Sequence, residues 1–224
     1  MHRPLPPKTE AELLQRSNAI AGLSLAELAD RHHITMPENL KREKGWGGQL
    51  IEFTLGADAG SKPVPDFTEL GIELKTLPIS STGNPLETTF VCAAPLTGIT
   101  GEQWQTSHLR TKISKVLWVP ILAERSIPLA ERVVGTPFIW HLKGEQEEDL
   151  RQDWEELMDL IVLGDVKSIT AKTGQYLQLR PKAAHAGIRT EAFDPSGKPI
   201  KSQPKGFYLK KDFTRRILAD MFGI

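Results

Sequence analysis

Pro65-Asp66 is followed, after six residues, by Glu73-Leu74-Lys75. Ile72, Leu74 and Thr76 alternate with Glu73 and Lys75, so the chain from Gly71 reads as a half-buried strand. On such a strand Glu73 and Lys75 project to one face, about 7 Å apart, and a turn around Gly71 can bring Asp66 back beside Glu73. Two carboxylates aimed at one point make a hard-oxygen site of the kind Mg²⁺ accepts, with the other positions left to water and a phosphate oxygen. An ion held there lowers the pKa of bound water and offsets charge on a pentacovalent phosphate, while a nearby ammonium such as Lys75 can orient the attacking water. The same spacing also suits a plain strand with a surface Glu/Lys pair. Glu52, on the segment before the motif, offers a third carboxylate; the segment after Ser107 adds His108, Arg110, Lys112 and Lys115.

The elements that must position these residues carry local signals of their own. Thr9-x-x-Glu12 and Ser24-x-x-Glu27 are capping boxes that open two short helices separated by Gly22. The pair could be taken for a helix-turn-helix reader of the major groove, but Glu27 and Asp30 stand where phosphates would approach. A short helix is expected over 49–55, stopped at Gly56, and a flexible connector over 57–65. Strands over 88–93 and 116–122 flank a helix begun by Ser107. A long acidic helix runs to Gly164, with Trp154, Leu157, Met158, Ile161 and Val162 as its buried stripe. Strands over 176–179 and 207–209 and a helix over 214–222 complete the chain. Tyr208, alternating with Phe207 and Leu209, faces away from the side those two share. Helices and strands mix without βαβ regularity, which predicts an α/β fold with a mixed sheet, α+β-like in character. Residues 1–224 are expected to form one domain with two lobes, and residues 1–8 a flexible tail.

The 28 basic and 28 acidic residues cancel, but they are segregated. Residues 145–159 carry eight acids and one arginine, whereas 165–216 carry twelve Lys or Arg and four acids. The basic third also contains Tyr176, Phe193, Phe207, Tyr208 and Phe213, a composition suited to a polyanion, or else to a solvated face balanced by the acidic helix. Cys92 is alone, which excludes an intramolecular disulfide and a cysteine-clustered metal and favours a cytoplasmic location. The longest apolar run, 116–123, is interrupted by Pro120 and falls well short of the ~20 residues that span a bilayer. No phosphate-loop, dinucleotide, zincin or nucleophile-elbow motif is present, and the six histidines include no pair at i, i+4. A nucleotide-driven motor and a zinc hydrolase are therefore disfavoured.

With Glu52, Pro65-Asp66, Glu73-Leu74-Lys75 and the basic segment after Ser107, the chain resembles the PD-(D/E)-x-K nuclease superfamily, to which type II restriction enzymes belong. Longer blocks are similar to the MutH family of DNA mismatch repair endonucleases. They include Pro37-Glu38-Asn39-Leu40-Lys41-Arg42, Lys44-Gly45-Trp46, Gly71-Ile72-Glu73-Leu74-Lys75-Thr76 and Pro85-Leu86-Glu87-Thr88-Thr89-Phe90-Val91-Cys92. Asp153-Trp154-Glu155-Glu156-Leu157-Met158, Arg180-Pro181-Lys182-Ala183-Ala184 and Gly206-Phe207-Tyr208-Leu209-Lys210-Lys211 extend the likeness to nearly the whole chain.

The resemblance implies a restriction-endonuclease-like fold of two lobes around a DNA cleft. It implies a monomeric, Mg²⁺-dependent endonuclease, with Mn²⁺ as a substitute and Ca²⁺ as an ion that binds without supporting catalysis. Such an enzyme nicks the unmethylated strand at hemimethylated GATC sites in double-stranded DNA and is activated by ATP-bound MutL. Carried over residue by residue, Asp66, Glu73 and the Leu74 carbonyl hold metal, Lys75 acts on the attacking water, and Glu52 and Lys112 support the site. DNA contacts fall on Lys44, Gly45, Phe90, Leu179, Arg180, Pro181, Lys182 and Tyr208, with Tyr208 and Leu179 as a wall that tolerates a methyl group. No role is implied for 187–205. A GATC restriction enzyme that cuts both strands, and a DNA-binding regulator without catalysis, are the rival readings.

Overall fold

The computed structural model describes residues 3–37, 45–183, 185 and 187–223. In chain order the helices are α1 (Glu10–Asn18), α2 (Leu25–Arg31), α3 (Trp46–Leu55), α4 (His108–Ile113), α5 (Gly144–Val162) and α6 (Lys211–Phe222). The strands are β1 (Glu73–Ile79), β2 (Thr89–Ala94), β3 (Lys115–Leu122), β4 (Val133–Val134), β5 (Phe138–His141), β6 (Leu177–Pro181), β7 (Thr190–Phe193), β8 (Pro199–Ser202) and β9 (Lys205–Leu209). The mixture of parallel and antiparallel pairing matches the expected mixed-sheet α/β class. Among the described residues no helix is long and apolar enough to cross a membrane.

The chain divides into two compact units. The first comprises Met1–Leu86 and Ser114–His141. In it β1 runs parallel to β3, Glu73 facing Val116 and Lys75 facing Trp118, while β3 pairs antiparallel with β4 and β5. Helices α1 to α3 contribute Leu13, Leu25, Leu28, Leu50, Ile51 and Leu55 to a core completed by Ile72, Leu74, Leu117 and Val119. Burying this apolar surface is the main source of the unit's stability. Ser24 and Glu27 form the expected capping box at α2. At α1 the box is only half formed: Thr9 accepts the Glu12 amide, but Glu12 accepts the Lys8 amide in place of that of Thr9. Helix α3 begins three residues earlier than expected, at Trp46, because Gly45 at φ 92° turns the chain into it.

Part of the segment expected to be a loose tail has defined contacts. Arg16 donates through Nη1 to Leu5 O at 2.6 Å and to Leu55 O at 3.4 Å, joining that segment to the last turn of α3. Gly56 completes the junction, since a Cβ there would stand 2.7 Å from Leu5 O.

The second unit comprises Glu87–Ile113 and Leu142–Ile224. Its sheet has the order β2-β9-β6, all antiparallel, and β7 and β8 form a separate hairpin. Helix α5 buries Trp154, Leu157, Met158 and Ile161 as expected, but Val162 is 62% exposed. The buried stripe stops one residue short of the expected one, at Ile161. Asp153 is buried on the inner side of α5 and accepts the amides of Gln175, Tyr176 and Leu177 at 2.6–2.7 Å, which fixes where β6 begins. Arg216 of α6 reaches Asp149 and Glu145 at 2.7 and 2.6 Å. Some of the basic third is thus spent internally against the acidic helix. The hairpin was not anticipated; its turn is built by Asp194, whose Oδ1 accepts from Ser196 N, Ser196 Oγ and Lys198 N.

Candidate active site

The loop between α3 and β1 closes on itself before it reaches the motif. Phe67 and Ile72 exchange both backbone hydrogen bonds, at 2.9 and 3.3 Å, around a 3₁₀ turn that ends at Gly71 with φ 62°. Glycine is favoured at such a positive φ because it has no Cβ to clash. The connector expected to be flexible is anchored as well: Asp58 and Ala59 donate their amides to Asp66 O, and Asp58 accepts from Thr68 N and Oγ1. The Asp66 main chain is therefore held from both sides, and its Oδ2 accepts the Leu74 amide at 2.8 Å.

Glu73 and Lys75 share a face of β1, as the alternation predicts, and Lys75 Nζ donates to Glu73 Oε1 at 2.7 Å. The surroundings differ from a half-solvated strand. Glu73 is only 3% exposed, so β1 is covered on both faces at this point. A buried carboxylate needs paired charge or hydrogen bonds, and the ammonium supplies both. The reading of the pair as a surface ornament is thereby excluded.

Glu52 projects from α3 into the same field. Its carboxyl is raised to about 7, first by burial and then by the negative charges of Asp66 and Glu73, against which Lys75 and Arg3 work in the opposite direction. Sequence reasoning thus identified three acids and a lysine that the structure brings together. Oxygen donors with more negative charge than one ammonium offsets are the chemistry a hard divalent cation fits. Among the described residues no three His, Cys, Asp or Glu side chains stand at metal-ligand spacing. Lys112 lies on α4, in the second unit.

The residues expected at DNA fall on the second unit's sheet or, for Lys182, directly after β6, except Gly45, which precedes α3 as its N-cap, and Lys44, which lies outside the described residues. Tyr208 on β9 is in register with Phe90 on β2 and Gln178 on β6. Phe90 and Tyr208 meet edge to face at 5.3 Å, the Arg180 guanidinium lies 5.3 Å from the Tyr208 ring, and Lys182 Nζ stands 4.1 Å from the Phe90 ring. Arg180 also donates to Thr88 Oγ1 at 2.7 Å. The result is a row of two adjoining rings with a cation at each end, Lys182 by Phe90 and Arg180 by Tyr208, and with Pro181 exposed between the two cations in the chain. Burial holds the Tyr208 hydroxyl above its ordinary value despite Arg180, so it remains a neutral phenol.

Leu179 does not join the row. It pairs with Phe207 and is buried with it, and neighbours along a strand project to opposite faces, so its side chain cannot form a wall with Tyr208. Two supporting residues escaped the sequence reading. Thr88 belongs to a block noted only for its likeness. Gly206 is required because a Cβ there would come within 2.8 Å of the Phe90 ring and 3.3 Å of Lys182 Cβ.

A family model described as "DNA mismatch repair enzyme MutH" matches residues 55–153, a span that contains Asp66, Glu73, Lys75, Phe90 and Lys112. The chain is 61% identical over 212 residues to the DNA mismatch repair protein MutH of Vibrio parahaemolyticus serotype O3:K6 (strain RIMD 2210633), covering 95% of this chain and 94% of that one. It is 60% identical over 217 residues to the protein of the same name from Vibrio cholerae serotype O1 (strain ATCC 39541 / Classical Ogawa 395 / O395), covering 97% and 98%. With the DNA mismatch repair protein MutH of Yersinia pestis (strain Pestoides F) the identity is 59% over 219 residues, covering 98% and 96%. Such likeness spans both the acidic site and the aromatic row, and the chain belongs to the MutH family of DNA mismatch repair enzymes.

Proposed function

We propose that this enzyme is a Mg²⁺-dependent endonuclease that nicks the unmethylated strand of hemimethylated GATC sites, acting as a monomer in the cytoplasm under the control of ATP-bound MutL. The observation that carries the reading is the fixing of Asp66 by the Leu74 amide beside the buried Glu73–Lys75 pair. Asp66, Glu73 and the Leu74 carbonyl are the groups that would hold the ion. When bound, Mg²⁺ supplies charge neutralisation at the scissile phosphate and acidifies its water. Lys75, held by Glu73, orients the attacking water and stabilises charge that develops on the phosphate. Glu52, poised near neutrality, can take up a proton beside the two acids. Lys112 supports the site in this reading.

Recognition falls to Lys44, Gly45 and the row on the second unit's sheet. Adenine N6 lies in the major groove, where the unmodified amine keeps one hydrogen for a protein acceptor. Methylation can redirect that donor and adds an apolar group. A close polar contact on the strand to be cut rejects the methyl, whereas an aromatic wall formed by Tyr208 and Phe90 tolerates it on the other strand.

Supercoiled plasmid bearing GATC, incubated with Mg²⁺ and with MutL and ATP, tests the proposal. Open circles are expected. Linear product would favour a restriction enzyme, and a gel shift without cutting would favour a DNA-binding regulator.

A further inference from the structure

Away from the aromatic row, the second unit has a groove of about 590 Å³ between the loop 96–105 and the last turns of α5. Trp104, Trp154, Met158 and Ile161 line it and are nearly inaccessible to solvent. Its outer edge is different: Val162 and Phe193 are 62% and 42% exposed, and Leu163 beside them is 65% exposed. Most of the exposed large apolar side chains among the described residues of this unit gather here, with the others at the end of α6. Clustered apolar exposure of this kind marks an interaction site more often than a random surface does.

The edge is built by the fold. Along β7 the inward position is Ala192, so strand alternation turns Phe193 outward. Gly164, at φ 73°, lets the hairpin reach the end of α5, because a Cβ there would stand 2.3 Å from the Asp194 carbonyl. That approach sets Phe193 beside Val162 at the groove.

Charge decides the occupant. The groove's ionisable residues are Glu102, Glu155 and Asp159, and no Lys or Arg lines it. Glu155 is partly offset by Arg151 at 2.9 Å, but the helix around them carries eight acids against that one arginine over 145–159. Nucleic acid and anionic membrane are repelled by such a rim. From the exposed apolar edge and acidic border together we infer that this groove docks a cationic amphipathic segment of a protein partner, with apolar side chains lying against Val162 and Phe193 and Lys or Arg meeting Glu102, Glu155 and Asp159. This is the helix-in-groove mode of recognition with the charge pattern set by α5. The inference does not depend on the nicking reaction.

A synthetic 14-residue peptide of Leu, Phe and Lys, patterned as an amphipathic helix, is titrated calorimetrically into the full chain. Two controls are used: the same composition with the apolar face scrambled, and a version with Glu in place of Lys. Saturable one-to-one binding of the patterned Lys peptide is expected, at least about tenfold tighter than either control. Val162→Asn with Phe193→Ser, both at exposed positions, weakens it by a similar factor while DNA binding is retained. Glu155→Lys with Asp159→Lys transfers the preference to the Glu peptide, an independent reading should the apolar variant not fold. Equal binding of the scrambled peptide, or binding unaffected by both variant pairs, overturns the proposal. So does a concentration-dependent dimer in sedimentation that Val162→Asn/Phe193→Ser abolishes, since the groove's occupant would then be a second copy of this chain.

Discussion

The backbone amide of Leu74 points at Asp66 Oδ2 from 2.8 Å, so the strand that carries Glu73 also orients the acid facing it. Charge and position at residue 66 can for this reason be separated by mutation. An asparagine can still accept the Leu74 amide, whereas an alanine loses both functions.

Asp66→Asn is expected to lower nicking by about 100-fold or more, the scale of removing one transition-state group, with thermal stability close to wild type. Asp66→Ala, Glu73→Ala and Lys75→Ala abolish nicking. All four keep DNA affinity within about twofold, because affinity comes from many phosphate contacts. Plasmid nicking and gel shifts on the same preparations check this. Binding that falls in parallel with cutting, in a protein of normal circular dichroism, would show the motif to be structural.

Glu52 makes a pH-dependent contribution of definite sign. Its carboxyl stands at about 7 in the folded protein against 4.5 ordinarily, so between those values the folded state holds a proton that the unfolded state has lost. Stability from this group therefore falls as pH rises from 4.5 and levels off above 7. The total is at most about 3 kcal/mol and less after solvent screening. With metal chelated, Glu52→Gln should match wild type near pH 5 and exceed it near pH 8 in urea denaturation. A gap that does not change with pH refutes the assignment.

Tyr208→Ser should change the ratio of nicking on hemimethylated and unmethylated GATC by an amount corresponding to about 1–3 kcal/mol of discrimination. Lys182→Ala lowers both rates more evenly. Matched oligonucleotides give the two ratios directly, and an unchanged ratio in Tyr208→Ser places methylation sensing elsewhere.

Salt dependence reports the basic surface. If roughly six phosphates are neutralised, log affinity falls against log salt with a slope near about −5. Lys182→Ala makes the slope shallower by about one, and Tyr208→Ser leaves it alone. A wild-type slope near zero removes the argument from charge segregation.

Gly206→Ala tests the seating of the aromatic row. The new methyl group would lie 2.8 Å from the Phe90 ring and 3.2 Å from Cys92 O, contacts that only movement can relieve. Overpacking of this kind typically costs about 1–3 kcal/mol. DNA affinity should drop together with stability, while Phe90→Ala in the same background restores part of the stability. Unaltered unfolding in Gly206→Ala contradicts the close fit.

Local signals in the sequence were enough for the capping box at Ser24, the alternation of β1 and the turn that returns Asp66, because each lies within a few residues of what it organises. Glu73's burial was not legible: a period of two says which residues share a face but not what covers that face. Phe90 and Arg180 enter through family likeness alone, and for Tyr208 alternation says only which face of its strand it takes. Their meeting depends on register among β2, β6 and β9, which are far apart in the chain. The exposure of Val162 was missed for a related reason, since helical periodicity continues past the point where packing partners stop. Leu179 was assigned to the wrong face even though its alternation with Arg180 could have excluded it.

Glu52, Asp66, Glu73 and Lys75 all come from one continuous stretch of the first unit, while the row from Phe90 to Tyr208 belongs entirely to the second. Under the proposed roles, with Lys112 for cutting and Lys44 and Gly45 for reading set aside, inheritance can handle the carboxylates and the aromatic row as separate traits. Substitutions among Thr88, Phe90, Arg180, Lys182 and Tyr208 can drift toward another target sequence without disturbing the carboxylates. A lineage can thus explore new addresses on DNA while its blade stays fixed.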